Sequence, residues 1–159
     1  MTGLAKKVIN YTKLKRTGIV DIGSNTVRLV VFDGPSRSPR YFYNEKENCG
    51  LGVGLRQTKF LNNKGKQKAY KAIQRFSAVL KTMSIVEIYF VATSAVRDAK
   101  NGREFIESLE KKFNIKIHII SGKEEGLLAA SGVLLGWPKA TGIVCDIGGS
   151  SLEIGRAHV

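Results

Sequence analysis

Apolar positions along the chain change period several times, and each change marks an element. Residues 17–32 read TGIVDIGSNTVRLVVF. Two apolar runs flank a Gly-Ser-Asn cluster, which predicts a buried strand, a tight turn and a returning strand that continues through 27–33. Residues 34–39, GPSRSP, form a turn by their Gly, Pro and Ser content. The aromatic start of residues 40–48, RYFYNEKEN, predicts a third strand at a sheet edge. Residues 49–55, CGLGVGL, read as a flexible glycine-rich connector, or else as a mobile loop beside a ligand. Over 64–83 the apolar positions fall at threes and fours: Ala69, Ile73, Phe76, Val79, Leu80 and Met83. That is one face of a helix, and its opposite face is rich in lysine. Residues 87–92, EIYFVA, predict a strand running into a short helical turn at 93–98. A helix over 103–113, a strand over 115–120 and a helix from Ser121 to near Gly136 follow. Residues 141–154, TGIVCDIGGSSLEI, then spell a second hairpin.

The order β-β-β-α-β-α-β-α, then β-β, predicts an α/β fold with a mixed sheet covered by helices. The two hairpins share one spelling. Asp21 and Asp146 end their first strands 125 positions apart (146 − 21). This period is too long for a solenoid. It fits a duplicated domain that sets two turns face to face. Residues 17–136 are assigned to a first domain and 137–159 to the start of a second, similar one. Only a hairpin of that second domain is expected, with nothing to pack it. On this reading the chain is a fragment of a two-domain protein or a split reading frame.

Charge narrows the partners. The 159 residues carry 26 Lys and Arg against 13 Asp and Glu, a net charge of +13. That points to nucleic acid, an acidic membrane surface or a polyanionic small molecule. No run approaches the ~18 apolar residues of a membrane span. Residues 1–16 are basic without the apolar stretch of a secretory signal, and read as a frayed cationic arm. Cys49 and Cys145 show no metal-ligand spacing, which fits a reducing cytoplasm. Cys145, inside an apolar strand, reads as a small core residue. His118 and His158 are assigned no role. Neither a P-loop, a dinucleotide fingerprint nor an RNA-binding aromatic-basic motif is spelled.

The candidate chemistry sits in the turns. Glycine brings bare amides close to a ligand, and consecutive N–H groups form an anion site. Gly23, Ser24, Asn25 and Thr26 make one such turn; Gly148, Gly149 and Ser150 make the other. Asp21 and Asp146 are placed to hold a divalent cation against the same phosphate. A single copy reads equally well as an ordinary hairpin or as a phosphate turn; the repeat favours function. In SGKEE, Ser121 as N-cap puts Glu124 at N3, a capping box. Glu125, about 100° further round the helix, is spared by the cap. It could deprotonate a water or simply face the helix dipole. Arg97 could offset charge on a transferring phosphoryl group, or pair with Asp98, Glu104 or Asp33. Glu153 lies seven residues after Asp146, and the sequence does not set its direction.

With DIGSNTVRLVV, VATSAVRDA, IISGKEEG and DIGGSSLEIG in this order, the chain resembles the N-terminal part of the exopolyphosphatase / guanosine pentaphosphate phosphohydrolase (Ppx/GppA) family, within the actin–hexokinase–Hsp70 fold group. The resemblance runs over residues 18–155. It implies a ribonuclease H-like sheet of the actin-like ATPase type. It also implies hydrolysis of terminal phosphoanhydride bonds of polyphosphate or pppGpp, with release of orthophosphate. Arg97, Glu125 and Glu153 fall on catalytic positions, Glu125 matching the base for the attacking water. Asp21 and Asp146 fall on metal-associated positions, so Mg²⁺ or another divalent cation is implied. A C-terminal domain missing from this chain is expected, no membrane is implied, and a homodimer is compatible. Two spellings depart from the family. Its DIGGGS[TS]E is here DIGGSSLE, with Ser150 for the third glycine and Leu152 before the Glu. Its Ala-Arg after the two acids is here Gly126-Leu127. Activity of the chain by itself is left open. A kinase-like ATP enzyme of the same fold and a non-catalytic polyanion- or RNA-binding fragment are the alternatives.

Overall fold

Alternation of burial builds the first sheet. The structure is a computed structural model that describes residues 15–34, 36 and 39–157. In β1 (Thr17–Ile22) every second residue is buried: Gly18, Val20 and Ile22. In β2 (Thr26–Phe32) the same holds for Val27, Leu29 and Val31. Both strands therefore turn one apolar face inward. β3 (Tyr41–Asn48) adds antiparallel to β2 at the edge, as its aromatic-then-polar spelling predicts. β4 (Glu87–Ala92) runs parallel to β1, and β5 (Ile117–Ile119) runs parallel to β4. The result is a mixed five-stranded sheet in the order β3-β2-β1-β4-β5.

One long helix covers the inner face. α2 (Asn63–Thr82) starts at Asn62, whose side chain accepts the Gly65 N–H at 2.9 Å. That cap satisfies one of the helix's orphan donors. α2 buries Ala69, Ile73, Phe76 and Leu80 of the predicted stripe and adds Ala72, while Val79 and Met83 pack partly buried against the core. Gly18 lets it come close, because a Cβ there would meet Leu80 Cδ2 at 2.6 Å. α4 (Gly102–Phe113) adds Phe105, Ile106 and Leu109 to the same core. A wholly buried Phe76 contributes about 1.5–3 kcal/mol by burial.

The glycine-rich stretch corrects one expectation. Instead of a flexible connector, it is pinned to the core and includes a short helix, α1 (Leu55–Thr58). Leu51, Leu55 and Leu61 are buried. The Cys49 and Gly50 N–H groups donate to Asn25 O, and Gly52 N–H donates to Ser24 O at 2.8 Å. Three leucines spread over eleven residues supply the anchorage that the glycines conceal.

The second hairpin is not bare either. β6 (Gly142–Ile147) and β7 (Leu152–Ala157) pair antiparallel, and α5 (Gly122–Gly136) packs on them. Gly155 and Gly126 make this approach, since a Cβ on Gly155 would stand 2.9 Å from Gly126 O. α5 covers one face. The other face shows Ile143, Ile147, Leu152 and Ile154 to solvent. Cys145 points the same way and is exposed, which overturns its reading as a core residue. Period-two alternation puts it opposite Ile154, on the side away from α5.

The strand predicted over 115–120 is shorter than expected. Most of the basic arm, residues 1–14, and His158 lie outside the described residues; Arg16 pairs with Asp33 at 3.2 Å. No described helix is long and apolar enough to cross a membrane. One consequence of strand order positions the site. β1 and β4 are parallel and in register, so Ile22 and Ala92 end at one sheet edge. Open α/β sheets bind ligands at such carboxyl ends. Thr93 N–H closes the edge by donating to Ile22 O at 3.2 Å.

Candidate active site

The two turns close in the same way. Gly23 N–H donates to Thr26 O at 2.9 Å, and Gly148 N–H donates to Ser151 O at 3.0 Å. In each copy the acid sits two residues before that glycine. The turns also meet. Gly149 carries an ideal Cβ position 3.5 Å from the Cβ atoms of both Ser24 and Asn25. The Ser24 and Ser150 hydroxyls are in hydrogen-bond contact. Ser94, the first residue of α3 (Ser94–Asp98), completes a trio at 3.1 Å from Ser24 and 2.8 Å from Ser150. Ser24 and Ser94 are both buried. Three hydroxyls at a sheet's carboxyl edge, each able to donate or accept, form a ready oxygen-binding cluster. Thr26 and Asn25 flank it from β2 and its turn.

Arg97 organises the acidic side. α3 follows β4 directly and aims this guanidinium at the start of α5. Arg97 Nη1 donates to Glu125 Oε2 at 2.9 Å and to Ile120 O at 3.0 Å. Nη2 lies 3.8 Å from Glu153 Oε1, and Nε lies 3.5 Å from Asp98 Oδ1. Of the three expected partners, Asp98 is present; Asp33 pairs instead with Arg16. Burial works against the charge of Arg97. The Glu125 hydrogen bond and the fields of Asp98, Glu125 and Glu153 outweigh it and hold the guanidinium above its ordinary value.

The cap explains why Glu125 is available. Glu124 Oε2 accepts from the Ser121 N–H at 2.8 Å and from its hydroxyl at 2.7 Å, while the Glu124 N–H donates back to Ser121 Oγ at 3.2 Å. Glu124 is thereby held in the capping box. Glu125 turns inward to Arg97. Glu153 stands directly opposite Asp146 across β6 and β7, so both project from one face of the hairpin. Its side chain is only 6% exposed.

Asp21 is the perturbed carboxyl of the site. Burial, then the fields of Glu125 and Asp146, raise its pKa from 3.8 to about 6, and Arg28 partly opposes them. Its Oδ1 is buried with no hydrogen-bond partner. Arg28 opposes the acids around Asp21, and Arg97 is the cation beside Asp98, Glu125 and Glu153. An orphaned carboxylate oxygen in an acid-rich pocket suits a hard divalent cation. Among the described residues no three acid, His or Cys side chains form a full cage. Two carboxylates with waters and phosphate oxygens make up the shell that Mg²⁺ prefers.

Two residues of the site escape the sequence reading. Arg28 is opposite Asp21 in the first hairpin and donates from Nε to Asn44 Oδ1 at 2.9 Å. The tight turn fixes that register, so hairpin geometry was the available signal. Ser94 joins the trio only because β4 lies beside β1, a neighbour relation that the sequence does not spell.

Comparison with known proteins identifies the family. The model of the Ppx/GppA phosphatase family matches residues 30–157. Exopolyphosphatase 1 of Mycobacterium tuberculosis is 30% identical over 142 residues, covering 87% of this chain and 41% of that protein. The crystal structure of an exopolyphosphatase from Cytophaga hutchinsonii superposes with a TM-score of 0.82 at 30% identity, over 89% of this chain and 46% of the other. The Aquifex aeolicus PPX-GPPA enzyme superposes at 0.78 with 26% identity, over 89% and 48%. The chain thus spans less than half the length of these relatives. The matched family model, the shared actin-like fold and the paired acid-and-glycine turns agree: the chain belongs to the Ppx/GppA phosphatase family.

Proposed function

We propose that this chain supplies the phosphate-gripping wall of an enzyme that hydrolyses terminal phosphoanhydride bonds of inorganic polyphosphate or pppGpp. The observation that carries the reading is the serine trio joining the two turns beside Arg97 and Glu125. The terminal phosphoryl group binds against Ser24, Ser94, Ser150 and the N–H groups of Asn25 and Gly149, while the Gly23 and Gly148 N–H groups hold the turns closed. Arg97 offsets negative charge developing on it. Glu125 orients a water and takes its proton as the oxygen attacks phosphorus. Glu153, buried beside α5, holds Arg97 in place. Asp21 and Asp146 are the residues that would hold Mg²⁺ or another divalent cation, which when bound neutralises phosphate charge. The +13 charge of the chain draws a polyanion in, so association slows as salt rises. Two free cysteines suit a cytoplasmic setting.

Orthophosphate release from polyphosphate and from pppGpp tests this, using the chain alone and a form extended with the C-terminal part of a relative. Release that disappears in Glu125→Gln supports the reading. A Glu125→Gln protein with the parental rate removes the assigned base. Transfer of phosphate to an acceptor other than water would favour the kinase-like reading instead.

A further inference from the structure

The glycine-rich stretch builds a second cavity against the same turns. It holds about 380 Å³ and is lined by the stretch from Gly52 to Lys59, including Arg56, together with Asp98, Gly149 and Ser150. Its near wall is fastened to the first turn. Gly52 N–H donates to Ser24 O at 2.8 Å, and an added Cβ at Gly52 would sit 3.2 Å from Ser24 Cβ. Ser150 therefore belongs to both the serine trio and this cavity.

Two cations face into the space. Among the described residues neither Arg56 nor Lys59 forms an ion pair. The single acid of the lining, Asp98, is drawn to Arg97 Nε at 3.5 Å. Lys59 also occupies a left-handed backbone position with φ 64°. Glycine or asparagine takes that conformation at lower cost. This position closes α1, as left-handed residues at helix ends commonly do, and it sets the Lys59 side chain on the cavity wall. Lys59 is fixed there by its N–H donating to Leu55 O and its carbonyl accepting from Lys100 N–H.

We propose that this cavity is a second phosphate subsite, which takes the phosphates next to the terminal one, and that Arg56 and Lys59 bind them. The inference rests on the reading of the two turns as the terminal-phosphate site. It makes the chain selective for linear oligophosphates over orthophosphate. It also gives the leaving part of the substrate a cationic wall reached through Ser150.

Calorimetric titration with orthophosphate, tripolyphosphate and GTP, with Mg²⁺ present, tests it on the chain itself. Exposed charge contacts are worth up to about fivefold each, so Arg56→Gln/Lys59→Gln should weaken tripolyphosphate about tenfold. Orthophosphate affinity should change less than about twofold. GTP, which carries three phosphates on a nucleoside, should lose affinity by the same factor as tripolyphosphate. An unchanged tripolyphosphate affinity, or equal loss for orthophosphate, overturns the subsite. A loss confined to GTP overturns it too, because the cavity would then read the nucleoside. Ser150→Ala separates the two claims. If it weakens orthophosphate while the double variant changes nothing, the turns bind phosphate and the subsite is wrong. If neither variant affects any ligand, both readings fall. Unchanged thermal melting of the double variant, whose substituted side chains are exposed, shows that its fold is retained.

Discussion

Asp21→Asn probes the electrostatic cost that the site stores. The carboxyl pKa rises from 3.8 to about 6 because burial and the neighbouring acids disfavour its charge. A rise of that size corresponds to about 3 kcal/mol of differential stability. The sign follows from proton binding. Below pH 3.8 both folded and unfolded chains hold the proton and no penalty exists. Between 3.8 and about 6 the unfolded chain loses its proton first, so the folded state loses stability as pH rises. Above about 6 the penalty is constant. Asparagine has no such titration. In metal-free buffer, urea unfolding should therefore show the variant gaining on the parent by about 2 kcal/mol between pH 4 and pH 7.5, after allowing for residual solvent screening. Mg²⁺ at pH 7.5 should then stabilise the parent and leave the variant unmoved. A stability difference that stays flat with pH, or that favours the parent more at high pH, refutes the reasoning.

Arg97→Gln leaves the buried Glu153 and the partly buried Glu125 without their shared cation, and should cost about 1–3 kcal/mol by urea denaturation at pH 7.5; an unchanged midpoint would show that Arg97 does not hold them. Gly102→Ala places a Cβ 1.8 Å from Val96 O, so α3 and α4 cannot keep their join. It should destabilise the chain by about 1–3 kcal/mol or more, and a melting temperature within a degree of the parent would contradict the packing. A thiol reagent at neutral pH should label one cysteine quickly, Cys145 on the open face of the hairpin, and leave Cys49 intact. Burial pushes the Cys49 thiol up, so rapid labelling of both would contradict the fold.

Much of the site was legible because it is local. Hairpin turns, strand-end acids and the Ser121 capping box are encoded within a few residues, and each forms where the spelling places it. The freedom of Glu125 followed from helix geometry once Glu124 was committed to the cap. What the sequence withheld depends on which elements become neighbours. Ser94 reaches the turns through parallel pairing of β4 with β1. Glu153 acquires its direction from antiparallel register with Asp146, and its partner Arg97 from the approach of α3 to the second hairpin. The glycine-rich stretch was misread for a related reason. Its glycines suggest mobility, whereas Leu51 and Leu55, spaced to enter the core, hold it still. Cys145 shows the limit of apolar strands as evidence of burial, since a two-stranded sheet has a face that its single helix leaves open.

The central claim is that both turns grip the same phosphate chain. An amide chemical-shift titration of the ¹⁵N-labelled chain with tripolyphosphate and Mg²⁺ tests it most directly. The account predicts that the amides of Gly23, Ser24 and Asn25 and those of Gly148, Gly149 and Ser150 shift together along one saturation curve. Movement of one turn alone, or of the two turns with separate affinities, would contradict it.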